Sequence, residues 1–240
     1  MKTNFFRFEN TNKDLPFYND KQTVFKPLLG FVIIIIIYGS FFCTDVIKGI
    51  IPSYLGPFIN ILLPLVLFIP IVKSRWTEIS GKIHKKDLLT IFKVLVINLI
   101  ITAITSTILH YFFEASSNPL AGILHSSSLQ EKFIIYLKII PMLLGEELIT
   151  IIPFLIVLEF SYKHLNFSRK KAIIITWVVT SLFFGAIHLP TYSWNIVQAI
   201  IGIGIARIVL TFAYIKTKNI WISFLVHLLN DWILFLPMLF

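Results

Sequence analysis

A single cysteine, Cys43, occurs in 240 residues. One thiol cannot build an intrachain disulfide framework, and it offers no basis for a cysteine-ligated metal site. Charge is also scarce. Asp, Glu, Lys and Arg together make 14% of the chain, against about a quarter in soluble domains, while 57% of the residues are hydrophobic. With a mean hydropathy of +0.85, this is the composition of a membrane protein. The opening MKTNFFRFENTNKDLPFYNDKQTVFK, residues 1–26, is polar and lacks the apolar core of a secretory signal, so no cleavable signal is expected. Acidic residues are outnumbered 12 to 21 by basic ones, giving a net charge of +9. The basic residues lie at the ends of apolar segments, where membrane topology places them. That distribution speaks against a nucleic-acid partner and for anionic lipid headgroups.

What is present is a series of about seven apolar segments, approximately 27–44, 57–74, 88–113, 132–160, 171–189, 195–215 and 219–240. About 20 apolar residues suffice to span a bilayer as a helix. Unpaired backbone groups are not tolerated in lipid, so the segments are expected to be helical. Repeats and low-complexity tracts are absent. The expected fold is therefore all-α: one polytopic helical membrane domain over 27–240, preceded by a cytoplasmic polar segment, 1–26.

The loops set an orientation. Lys2, Arg7, Lys13, Lys21 and Lys26 precede the first segment; Lys73, Arg75, Lys82, Lys85 and Lys86 follow the second. Lys163, Arg169, Lys170 and Lys171 follow the fourth, and Lys216 and Lys218 the sixth. The alternate loops EASSNPLAGILHSSSLQ and LPTYS have neither Lys nor Arg; Lys48, beside Asp45, is the exception in the first outer loop. The positive-inside rule then predicts a cytoplasmic N-terminus and, after seven spans, an external C-terminus. The heavy use of Ile, Lys and Asn points to an AT-rich bacterial genome, hence a bacterial cell membrane.

Ionisable residues inside spans are costly. Lys93, Lys138 and Glu159 lie near span ends, where long side chains snorkel to the interface, and His110 and His125 belong to the outer boundary. Glu146, Glu147, His188, Arg207, His227 and Asp231 have no such explanation. They come from the fourth to the seventh segments and are expected to converge in the bundle interior. On polarity alone, a structural charge network, a transport pathway and a catalytic site are equally good readings.

Spacing adds information. His227 and Asp231 are one helical turn apart, as are Phe184 and His188. Glu146 and Glu147 project about 100° apart, so one can do chemistry while the other pairs with a cation. A carboxylate in an apolar site suits a general base for water activation, a histidine can orient the water, and a second histidine can stabilise a tetrahedral oxyanion. The same Glu, His and Asp inventory could instead bind a divalent metal. No serine or cysteine nucleophile accompanies it: Cys43 lies in or just beyond the first segment, and Ser181 and Ser223 have no evident base.

The stretches GEELITIIPFL, SLFFGAIHLPTY and IGIARIVLTFAYIKTKNIWISFLVHLLNDW resemble the Glu-Glu, Phe-x-x-x-His and His-x-x-x-Asn/Asp motifs of the CAAX-protease and bacteriocin-processing family of intramembrane proteases, which includes bacteriocin self-immunity proteins. The three occur in the family's order, over roughly residues 130–235. The resemblance implies that Glu146 activates water with His188 positioning it, that His227 and Asp231 stabilise the oxyanion, and that Glu147 supports them. It implies no obligatory cofactor if the mechanism is glutamate-dependent; if it is metal-dependent, Glu146, His188 and His227 are the ligands of a divalent ion such as zinc. The implied partner is a peptide or protein substrate within the membrane, in bacteriocin immunity or peptide-signal processing; prenylated substrates are not expected of a bacterial host.

Two positions depart from the family. Ile151 stands where an arginine is usual, and Arg207 is expected to supply the missing cation to Glu147 or Asp231. Asp231 replaces a more usual Asn, and a carboxylate is a poor oxyanion donor unless protonated. The alternative function is a non-catalytic immunity or scaffold protein of the same fold; a proton-coupled transporter ranks third, because apart from GIGIA there is little sign of repeated halves or of Gly/Pro-broken helix pairs. At 1.5 Å per residue, Glu146 lies about 20 Å from the outer end of its segment and His227 about 10 Å from an inner end. His188 comes out about 25 Å from the inner end, which requires its helix to tilt or to begin in the cytoplasm.

Overall fold

The computed structural model describes residues 9, 13–42, 55–113 and 115–239. Cys43, Asp45 and Lys48 lie outside them. Among the described residues there is no strand. Eight α-helices follow one another within these described residues: α1 Pro27–Phe42, α2 Gly56–Val72, α3 Lys85–Phe112, α4 Pro119–Ser126, α5 Leu129–Lys163, α6 Arg169–Ile187, α7 Gly204–Thr217 and α8 Ile220–Phe235. A 3-10 turn, Lys73–Ile79, extends α2; a π-helical stretch, Gln198–Ile203, leads into α7; and a second 3-10 turn, Leu236–Leu239, prolongs α8. With these extensions, six helices are long and apolar enough to cross a membrane, and α1 is a shorter apolar helix. The chain is a polytopic helical membrane protein. Helix α4 is an addition, lying in a segment read from the sequence as an outer loop.

Local sequence explains the helix starts. Ser128 opens α5 as a capping box: its backbone N–H donates to Glu131 Oε2 at 2.8 Å, and its hydroxyl accepts from Glu131 N. Asp87 plays the same return role for α3, accepting from His84 N at 2.8 Å. Asn118, Ser168 and Asn219 accept from the first turns of α4, α6 and α8. Helix α6 ends just before Pro190, which cannot continue a helix and restricts the residue ahead of it.

Helix α5 is the axis of the bundle. Every residue from Gly145 to Ile156 is buried, and α2, α6, α8 and α1 all pack on it. Gly145 permits the α2 contact, since a Cβ there would lie 2.6 Å from Asn60 Cβ. Helix α7 packs on α6, α8 and α3. The outward faces of α1, α2 and α3 expose Phe31, Leu62, Phe92 and Ile100, as a lipid-facing surface should.

The Lys- and Arg-rich loops gather at one end, where residues 13–26 are folded against the bundle. Leu15, Phe17, Tyr18 and Phe25 are buried in the same core as α5 and α6. Lys13 Nζ donates to Glu78 O at 2.6 Å and to Ser80 O at 3.1 Å. Arg169 pairs with Glu9 at 2.8 Å and with Asp14 at 2.6 Å, and Lys218 meets Glu9 at 3.2 Å. Burial pushes the Glu9 and Asp14 carboxyls up, yet the hydrogen bonds and charge of Arg169 outweigh it and leave both below their usual values. Glu159 corrects an expectation. Rather than snorkelling at an interface it is buried, accepting from Val24 N at 2.8 Å, Phe25 N at 2.7 Å and Lys163 Nζ at 2.8 Å. The N–H groups of Val24 and Phe25, in the non-helical segment ahead of α1, need an acceptor where the chain is buried, and Glu159 provides it. Lys93 and Lys138 are exposed as expected.

Candidate active site

The polar residues of α5, α7 and α8 meet in the interior. Glu147 is at the centre, wholly buried, and three donors converge on it. Arg207 Nη1 lies 2.7 Å and His227 Nδ1 2.9 Å from Oε1, and Ser223 Oγ lies 2.5 Å from Oε2. A carboxylate oxygen only accepts, so His227 donates from Nδ1 and keeps Nε2 for the other side of its ring. That Nε2 is 3.9 Å from Glu146 Oε2 and 4.0 Å from Asp231 Oδ1. Asp231 in turn accepts from Asn230 Nδ2 at 3.1 Å, and Asn230 Oδ1 accepts from Asn98 Nδ2 at 2.9 Å.

Glu146 and Glu147 separate as their angular offset requires. Glu146 borders a cavity of about 1120 Å³, together with His188, Arg207, His227 and Asp231; Glu147 is absent from its wall. The i,i+4 spacing of Phe184 and His188 is realised as a ring contact with centroids 4.7 Å apart. His188 Nδ1 donates to Phe184 O at 2.7 Å, which leaves Nε2 as the free ring nitrogen. Phe41 of α1 flanks the same imidazole at 5.0 Å. His188 sits at the end of α6, whose other end, Arg169, is tied into the basic cluster. The motifs meet because the cavity extends from Glu146 and His227 to the α6 terminus.

Arg207 takes the first of its two expected partners, Glu147. Its guanidinium also lies over the Phe184 ring, 4.7 Å from the centroid, a cation–π contact. Ile151, at the position where the cation was expected, is instead buried in the apolar core. The tip of the cavity contributes Tyr192, outside the spans, whose phenol is pushed up to about 12 by burial and then by the Asp231 and Glu146 carboxylates; it stays protonated and a donor.

Sequence reasoning missed Ser223, Asn98, Asn230 and Tyr192. Ser223 was considered only as a nucleophile, yet it falls four residues before His227 on the face shared with Asp231. Asn98 was legible as an amide deep in the third apolar segment. Among the described residues, no three His, Cys, Asp or Glu side chains are arranged to hold a metal ion.

The fold and this interior constellation define a multi-pass membrane protein with carboxylate and histidine side chains facing an internal cavity. Residues 128–233 match the family model of type II CAAX prenyl endopeptidase, Rce1-like, a family of proteases. No curated protein and no solved structure matches the chain. The matched region runs from the cap of α5 into α8 and holds all three motifs, while α1 to α4 precede it.

Proposed function

We propose that this protein is an intramembrane endopeptidase that hydrolyses a peptide bond with a water activated by Glu146. The observation that carries the reading is the split of the adjacent glutamates. Glu146 faces the cavity with no direct hydrogen bond to His227 Nε2, 3.9 Å away, a gap suited to a bridging water. Glu147 is turned away and saturated by Arg207, Ser223 and His227.

In the proposed reaction Glu146 accepts a proton from water as the water oxygen bonds to the scissile carbonyl carbon. His188, with Nδ1 committed to Phe184 O, offers Nε2 to the second hydrogen of that water and fixes its direction. His227, held by Glu147 through Nδ1, in its protonated form donates Nε2–H to the oxyanion. Asp231, held by Asn230, lies 4.0 Å from that same Nε2 and shares the oxyanion-binding side of the imidazole. The C–N bond then breaks and Glu146 returns its proton to the leaving amine. These steps use only the protein's own side chains.

The non-catalytic immunity or scaffold reading drew its force from Ile151. The Arg207–Glu147 pair supplies the absent cation from another helix, which favours catalysis. Consistent with the charge distribution, we place the basic end in the cytoplasm of a bacterial cell, with membrane lipids around the bundle and a peptide linked to bacteriocin immunity or signalling as substrate. The test is incubation of the purified protein in nanodiscs with a library of membrane-embedded peptides, with and without chelator, products being read by mass spectrometry. Cleavage by the parent protein and none by Glu146→Gln is expected; equal products from both, or no products at all, would overturn the proposal.

A further inference from the structure

Part of the wall of the cavity that Glu146 borders comes from α3, which lies outside the region matched at 128–233. Asn98, Thr102, Thr105 and Ser106 border the cavity from this helix, a polar stripe at helical spacing within an otherwise apolar segment. Polar groups in a protein interior are nearly always paired, and each one that is not needs an explanation. Among the described residues, four such unpaired buried atoms sit on residues that line the cavity, just behind its surface: Asn98 Oδ1, Thr102 Oγ1, and Nε and Nη2 of Arg207.

These atoms are complementary in kind. Arg207 offers N–H donors, Asn98 an acceptor, and Thr102 a hydroxyl that acts as either. They are also held in place. Asn98 spends its amide N–H on Asn230 Oδ1 at 2.9 Å, which turns its carbonyl oxygen free, and Arg207 is anchored by Glu147 at 2.7 Å and by the Phe184 face at 4.7 Å.

We propose that Asn98, Thr102 and Arg207 form a subsite for the main chain of an extended peptide. Each peptide unit carries one C=O acceptor and one N–H donor, the pair that these groups complement: the C=O takes a guanidinium N–H, and the N–H takes Asn98 Oδ1. A helical peptide has consumed both groups internally, so the subsite accepts only an unwound segment. In a bilayer such a segment needs partners for every backbone group it frees, and these residues offer them in the cavity that Glu146 borders. The side chain of the bound peptide plays no part in these bonds, so recognition here is of backbone rather than sequence. That the ligand is a peptide rests on the proposed function; binding, unlike cleavage, does not need Glu146 to act as a base.

The test therefore uses Glu146→Gln protein in nanodiscs and a pool of acetylated, amidated apolar decapeptides, with retention on the immobilised protein read by mass spectrometry. A second pool carries N-methyl groups on alternate backbone amides, which removes N–H donors. The parent is expected to retain the first pool at least fivefold better than the second, since one lost hydrogen bond to a charged or buried group corresponds to about a fivefold to tenfold change or more. Asn98→Leu and Thr102→Val, which keep shape and lose the polar atoms, are expected to abolish most of that preference. Arg207→Lys keeps a cation for Glu147 but lacks the forked donors, and is expected to weaken retention as well. Equal retention of the two pools by the parent, no retention of either, or unaltered preference in the variants would overturn the proposal. Cleavage by Glu146-intact protein is read separately, so failure of the protease reading leaves this outcome independent.

Discussion

Arg207 Nη1 and Glu147 Oε1, from residues 60 apart in the chain, lie 2.7 Å apart, and neither side chain is accessible. Removing one partner of such a pair leaves an uncompensated buried charge, at about 3–5 kcal/mol. Arg207→Leu and Glu147→Leu are each expected to lower the melting temperature in detergent sharply, while the double variant recovers a large part of the loss. Additive losses in the double-mutant cycle would show that the pair is not coupled.

The two adjacent glutamates should respond differently to amide substitution. Glu146→Gln is expected to reduce peptide cleavage by about 10²–10⁴-fold, the usual worth of a general base, with little change in melting temperature. Glu147→Gln is expected to lower both, because it disturbs three hydrogen bonds in a buried site. Paired activity and melting measurements on the two variants check this; equal effects on stability would contradict the division of roles.

The basic end confers a pH dependence. Glu9 and Asp14 titrate below their usual 4.5 and 3.8, because Arg169 outweighs the opposing effect of burial. A carboxyl whose folded pKa is depressed contributes stability that is fully present above its unfolded pKa and is lost as pH falls through the folded value. The wild type is therefore expected to lose this contribution below about pH 4.5. Asp14→Asn should melt lower than wild type at pH 7, with the difference narrowing at pH 3. A constant difference across that range would count against the assignment.

Two glycines set helix separations. A Cβ on Gly145 would lie 2.6 Å from Asn60 Cβ and 2.9 Å from its carbonyl carbon; one on Gly185 would lie 2.6 Å from Ala199 O and 3.2 Å from Gly204 N. Backbone cannot yield cheaply at either place. Gly145→Ala and Gly185→Ala are each expected to destabilise by about 1–3 kcal/mol, the usual cost of overpacking. Gly122→Ala, where nothing lies within 4 Å, should be neutral in the same unfolding assay.

Much of the fold was legible because its causes are local. Ser128, Ser168 and Asn219 mark helix starts through bonds that span two or three residues, and a bilayer-length apolar run is a helix whatever its neighbours. The His227–Asp231 and Phe184–His188 relations were equally readable, since a helix places residues four apart on one face. Glu159 was misread for the opposite reason: its partners are the N–H groups of Val24 and Phe25, more than 130 residues earlier in the chain.

The amino-acid sequence thus determined the membrane class, the helical segments and the set of intramembrane carboxylates, histidines and arginine that had to find one another. Tertiary structure alone decided which glutamate faces the cavity, that Arg207 takes Glu147, and that Asn98 reaches Asp231 through Asn230. The physical reason lies in α5. It is buried on every side from Gly145 to Ile156, so its hydrophobic pattern has no exposed face from which to read its rotation. Only the packing of α2, α6 and α8 around it orients Glu146 and Glu147.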